Sequence, residues 1–461
     1  MMRKFKVAAG GAALLAACAG AAPGAFADEE KTSKDGIPNP SIATSLPDKA
    51  DPYGVRAALA EKGITYGINY IGEVLGNTGG LKQGAIYEGI FEGILNADLE
   101  KLWGLKGLTF YINVYQIHGA GLTEKNLDNL LVVSSIEALP TTRLYKLYLE
   151  QKLNDETSVR FGQIAADTEF FISTNSANFI NATFGWPSIT ATDLPSGGPA
   201  YPLTTPGVRV RYEPDKNFTF LAAIFDGDPA GPGLNNPQDR DRYGLNFRVS
   251  DPPLLMQEVQ YNYNQDKKDT GLPGTIKLGA WQHLGSFNDL RVDREGVPIA
   301  ISGAPGASLS GDYGLYGVID QQIYRLPGGD ADKGIGVFAR GSASPSDRNL
   351  IDFYADGGFV FSGFTPQRPD DNFGIAFAYA NISNQARAFD RDVGIVQALT
   401  LPVRSYEAMI EAYYKFQIVP GLVVQPDFQY IWNPGGGGLL QPNGAKMENA
   451  AIGGIRVSVN Y

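Results

Sequence analysis

What the 461-residue chain lacks narrows its function first. It carries a single cysteine, Cys18, so it has neither a disulfide framework nor a paired-thiolate zinc site. Its two histidines, His118 and His283, form no H-E-x-x-H metal motif, and neither stands near a serine in a G-x-S-x-G context. A Walker-type phosphate loop is missing too. Lys and Arg number 38 against 49 Asp and Glu, a net charge of −11, which argues against nucleic acid as a partner. Past residue 30 there is no uncharged apolar run near the roughly 20 residues a spanning helix needs. No cofactor and no enzyme chemistry are expected on these grounds.

What is present points elsewhere. Charged residues make up only 19%, against ~25% in an ordinary soluble domain, while 43% hydrophobic residues exclude disorder. Glycine occupies 56 positions, and 23 Tyr and 24 Phe accompany it, a composition suited to β-structure with many turns. All-β barrels run long as single domains, so the length does not require several.

Residues 1–27 read as a secretory signal peptide. Arg3, Lys4 and Lys6 precede an apolar stretch from Val7 to about Ala22, and Ala25-Phe26-Ala27 fits the small-x-small cleavage pattern. The mature chain then starts at Asp28. Leu15-Ala16-Ala17-Cys18 is a competing lipoprotein box that would place a lipid on Cys18. Residues 28–62 read as an extended periplasmic tail with one or two helical turns over Gly54 to Lys62, stopped by Gly63.

From residue 63 to 461 the pattern is strands. Glu88, Glu92, Asn96 and Asp98 share one parity, and Tyr87, Phe91, Leu95 and Leu99 share the other. Tyr406, Ile410, Tyr414 and Phe416 alternate in the same way with Glu407, Glu411 and Lys415. Such runs exceed the ~5–6 residues of sandwich strands and are long enough to cross a bilayer at a tilt. With an export signal and a terminal aromatic, Tyr461, they predict an all-β, transmembrane antiparallel barrel in the bacterial outer membrane.

Sixteen strands are expected, the second over 85–101. Short connections then alternate with longer ones at 119–141, 166–205, 227–253, 286–311, 383–402 and 433–447. Residues 243–250 also look strand-like, but a seventeenth strand would throw every later long connection to the periplasmic side. They are therefore placed inside the outer loop after strand seven. A barrel of this width encloses water. The connection 166–205 holds the run Phe170 to Pro187, too apolar and aromatic to wave in solvent, and is expected to fold inward and narrow the lumen.

The stretches Leu194 to Tyr212, Gly279 to Phe287, Tyr313 to Arg325 and Glu411 to Gly437 resemble the carbohydrate-selective porins of the OprB family. In the last of these PGL, QPD-Q and NPGG stand in order, and the resemblance covers roughly Tyr53 to Tyr461. It implies passive diffusion of small neutral sugars across a membrane of lipid and lipopolysaccharide. A general porin without sugar preference is the alternative, with an outer-membrane barrel enzyme or adhesin behind it. Monomer and homotrimer both stay open.

A sugar requires hydrogen-bonding groups at its edge and aromatic faces on its C–H surfaces. Parity turns Glu88, Glu92, Arg160, Arg209, Arg211, Lys277, Glu407, Glu411, Lys415 and Asp427 toward the lumen. Arg160, Arg209 and Arg211 flank the long loop, so the constriction is expected there, with Glu169 and Glu92 as acidic partners; Glu411 is a further constriction candidate and, with Trp281, the alternative place for it. Phe170, Phe171 and Trp186 are candidates for stacking on sugar rings or for anchoring the loop, and Trp281 shares the polar parity. Asp226 and Asp228, with Asp239 and Asp241, form an outer-loop acidic group with Ca²⁺-ligand chemistry, though without a full loop signature.

Overall fold

The structure, a computed structural model, describes residues 33–461 apart from 267, 268, 329, 331 and 442. The signal-peptide and Cys18 readings lie outside the described residues. Sixteen antiparallel strands close into one ring, each paired with its sequence neighbour and the first with the last. They are β1 Ile64–Gly80, β2 Gly84–Asp98, β3 Leu108–Gly119, β4 Thr141–Lys152, β5 Thr157–Ile164, β6 Thr205–Tyr212, β7 Phe218–Phe225 and β8 Leu254–Tyr263. The second half comprises β9 Gly274–Asp293, β10 Gly306–Arg325, β11 Gly334–Ala343, β12 Ile351–Ser362, β13 Asn372–Ile382, β14 Tyr406–Val419, β15 Leu422–Trp432 and β16 Glu448–Asn460. Closure pairs every strand edge, which a structure in lipid requires.

The two-residue period sets the faces. On β14, Glu407 and Glu411 are fully buried on the inner side. Outside, Phe361 stacks on Phe373 at 4.7 Å, and Tyr414 and Phe416 continue the row at 4.3 Å. Such rows of rings suit the membrane–water boundary. Turns are tight where the sequence permits them: Gly421 closes the β14–β15 turn at φ 77, a conformation cheap only for glycine.

Several local readings change. Residues 99–101, expected in the second strand, begin the helix Leu99–Trp103, because the Asp98 side chain accepts from Glu100 N at 3.0 Å and Lys101 N at 3.1 Å and so caps it. The connection 286–311 is largely strand, since β9 and β10 each run to 20 residues. The connection 383–402 contains the helix Asn384–Gln397, capped by the Ser383 side chain on Ala386 N. Residues 33–50 are not extended: they form short turns with Ile37 and Ala43 buried. Helix Val55–Glu61 follows, and its Arg56 lies over the rings of Tyr66 and Tyr461 at 4.1 and 4.7 Å. Residues 243–250 pair in no strand and belong to the loop after β7.

Candidate functional site

The segment 166–205 touches β8, β10, β11, β12, β14 and β15, which a single segment can do only from inside the closed ring. Its backbone and its side chains both supply contacts. Phe171 N donates to Glu258 Oε2 on β8 at 2.8 Å, and Ser173 Oγ donates to Asp320 Oδ1 on β10 at 2.7 Å. Ile180 N and Asn181 N donate to the two oxygens of Glu411. Lys277 Nζ reaches Ile172 O at 2.8 Å, and Lys415 Nζ reaches Asn178 Oδ1 at 3.0 Å.

The strongest pin is Arg340 on β11. Its guanidinium pairs with Asp356 at 2.6 Å, both side chains being fully buried, and donates to Phe171 O at 3.1 Å, Gly185 O at 2.9 Å and Thr183 O at 2.8 Å. Tyr354 Oη donates to the same carboxylate at 2.6 Å. Arg suits this place because its planar fork satisfies several acceptors at once.

The connection 119–141 also turns inward, which the sequence reading did not include. Leu131 N and Leu130 N donate to Glu407 at 2.6 and 2.9 Å, and Ala182 N donates to Val132 O at 2.9 Å, so the two loops hold each other. Leu122, Leu127, Leu131, Val133 and Ile136 are buried. The apolar run Leu130 to Val133 was the available signal. Within this loop, burial pushes the Glu137 carboxyl up to about 7, outweighing the backbone donors Glu124 and Thr123 that favour its charge.

The wall from β3 to β6 differs. Tyr111 and Tyr148 stack at 4.8 Å and 10°, and the Arg160 guanidinium lies 4.2 Å from the Tyr148 ring centre. Glu150 accepts from Arg160 at 2.6 Å and from Arg209 at 3.1 Å. Glu169, from the loop, pairs with Arg160 at 2.9 Å and also contacts Arg209. Lys146 sits 5.3 Å from the Tyr111 ring. The side chains of Arg160 and Glu150 remain 16% and 17% exposed, so this face keeps contact with solvent.

Of the residues nominated from sequence, Arg160, Arg209 and Glu169 therefore meet. Arg211 does not join them: it pairs with Glu213 at 2.8 Å in an exposed position. Among the described residues Glu92 has no arginine partner; it accepts from Asn69 Nδ2 at 2.9 Å and from Asn113 Nδ2. Glu411 lies beneath the loop. Phe170 and Trp186 are 1% exposed, Trp186 donating to Gly197 O at 3.1 Å. Phe171, fully buried, stacks on Tyr316 at 4.2 Å. These rings have no face free for a solute and anchor the loop. Trp281 is likewise buried rather than facing the channel.

Asp226 accepts from Asp251 N at 2.9 Å, Asp228 accepts from the Ser196 hydroxyl, and among the described residues no acidic group is arranged to hold a metal. Glu150, Tyr111, Tyr148 and the Arg340–Asp356 pair were missed from sequence. Lys146, Tyr148 and Glu150 share one parity of β4, which was the readable sign.

A closed sixteen-stranded outer-membrane barrel, with loops folded into its lumen and a charged, aromatic strip left open beside them, is a porin. The model of the carbohydrate-selective porin OprB family matches residues 82–461, and the chain belongs to that family. It is similar to Porin B of Pseudomonas aeruginosa, 25% identical over 426 residues that make up 88% of this chain and 90% of that one. A putative porin, QuiX, of Acinetobacter baylyi is 19% identical over 79% of this chain and 81% of its own length. The high-pH structure of Pseudomonas putida OprB superposes with a TM-score of 0.79 at 24% identity, covering 90% of this chain and 98% of that one. The chain is thus a carbohydrate-selective channel of the outer membrane, and not an enzyme.

Proposed function

We propose that small neutral sugars, glucose-like monosaccharides and short oligosaccharides, diffuse along the strip formed by Tyr111, Tyr148, Arg160, Arg209, Glu150 and Glu169. The observation that carries this reading is the Tyr111–Tyr148–Arg160 stack. A pyranose has apolar C–H faces and a rim of hydroxyls. The part-exposed edges of the two stacked tyrosines suit the first, and a guanidinium between two carboxylates offers both donors and acceptors to the second.

Balanced charge matters as much. Arg160 and Arg209 face Glu150 and Glu169, so these four charges cancel despite the acidic chain. A neutral solute loses nothing to such a strip, while an ion gains no attraction from it. No bound energy source is required, since transport follows the gradient.

Liposome swelling tests this reading. Glucose should enter faster than an amino acid of similar size, and Arg160→Gln should reduce that preference without unfolding the barrel. Equal rates for both solutes in the unaltered protein would instead support a general porin.

A further inference from the structure

Strands β5, β6 and β7 are eight residues long each, the shortest in the barrel. At ~3.3 Å per residue and a tilt of ~40°, eight residues rise about 20 Å, short of the ~25 Å apolar band of such barrels. The aromatic rows show the same deficit. On β14 the outward row runs from Phe416 and Tyr414 at one end to Tyr406 at the other, where Tyr406 stacks on Tyr379 at 5.4 Å. On β6 the outward row is Tyr212, Val210 and Val208, and on β7 it is Phe218, Phe220, Ala222 and Ile224. Both rows have rings at the periplasmic end and none at the outer end.

The segment after β7 fills this gap. The outer part of β4 is free on the β5 side, because their pairing stops at Leu147. Leu144 N donates to Tyr243 O at 3.0 Å, and Thr141 Oγ1 donates to Arg242 O at 3.1 Å. Gly244 lies so close that a Cβ would fall 1.8 Å from Leu144 O. At its other end the segment is held to the end of β7, where Asp251 N donates to Asp226 Oδ1 at 2.9 Å. Its polar groups are held locally: Arg143 donates to Asp241 O at 2.8 Å, and Arg248 pairs with Asp251 at 2.7 Å. Its apolar side chains point away from protein, with Tyr243, Leu245, Phe247 and Val249 at 59%, 61%, 48% and 78% exposure. Four alternating apolar side chains, two of them aromatic, are costly in water and suited to a membrane boundary.

The geometry points to residues Tyr243–Val249 as a lipid-facing part of the wall, an unpaired segment that caps β5–β7 and presents its apolar row to the acyl chains of the outer leaflet. It is neither a seventeenth strand nor a loop in solvent. Tyr243 and Phe247 supply the outer ring of aromatics that β6 and β7 lack. The segment also accounts for an alternation that suits a strand in a place where the topology admits none.

Nitroxide scanning of the full chain in proteoliposomes tests the assignment. Leu245→Cys and Phe247→Cys are labelled in a Cys18→Ser background, with Val208→Cys as a wall reference and Leu234→Cys, fully exposed in the same loop, as a solvent reference. Collisions with oxygen and with a water-soluble nickel chelate are then compared. The expected result is an oxygen-to-nickel ratio at positions 245 and 247 several-fold above that at Leu234, matching Val208. A ratio equal to that at Leu234 would overturn the proposal in favour of a solvent loop. Protection from both reagents would overturn it in favour of a second copy of the chain covering the face.

Discussion

The two sides of the lumen use the same residue types to opposite ends. Along β8 to β15, Glu258, Asp320, Arg340, Glu407 and Glu411 are buried and bonded to the backbone of the inward loops. Along β4 to β6, Glu150, Arg160 and Arg209 bond chiefly to one another and to Glu169. On the first side the polar wall holds the inward loops in place; on the second it forms the surface proposed as the solute path. Inward-facing charge in a barrel therefore does not by itself mark the transport path. On the proposed reading the partner decides: loop backbone means scaffold, whereas side-chain pairs with part-exposed members such as Arg160 and Glu150 mean pathway.

The largest effect is expected at the scaffold. Arg340→Ala leaves Asp356 buried without its cation and removes the donors to Thr183, Gly185 and Phe171. Breaking a buried pair in this way costs about 3–5 kcal/mol. The loop should come loose, with higher and noisier single-channel conductance and a lower temperature for the heat-dependent mobility shift on gels. Glu411→Ala should act in the same direction but less strongly, about 1–3 kcal/mol, for two backbone donors left without an acceptor.

A pH effect follows for the smaller inward loop. Burial raises the Glu137 carboxyl to about 7, so the folded loop holds a proton that the free carboxyl releases near its ordinary value. Stability contributed by the protonated form is present below that ordinary value and declines as pH rises through about 7. Conductance noise should increase between pH 5 and pH 8, and Glu137→Gln should flatten the dependence. The smallest effect is expected at Arg211. Its exposed pair with Glu213 predicts a change within about 0.5 kcal/mol and unaltered conductance for Arg211→Ala, in contrast to Arg160→Ala.

The barrel was legible because a two-residue period survives whatever it packs against. Connection lengths then fixed the strand number, and the structure has the same sixteen. The inward parity of Arg160, Arg209, Glu407 and Glu411 could be read in the same way. Their division into scaffold and pathway could not, because it depends on where two loops lie, and a loop carries no periodicity. Glu169 was accessible only through its flanking position. Arg340 is the lone charge on its strand and Asp356 shares its strand only with Asp352, and only the ring closure brings a loop against both. Tyr111 and Tyr148 stand on separate strands, and only the β3–β4 register sets them face to face.

The most direct test of the division is a sugar-preference measurement on the aromatic stack with the scaffold intact. In liposome swelling, the rate for glucose relative to an amino acid of similar size is compared between the unaltered protein and Tyr111→Ala/Tyr148→Ala. The account predicts that the ratio falls toward one while the heat-dependent mobility shift stays where it was. An unchanged ratio in that double variant would contradict it and move the pathway to another part of the wall.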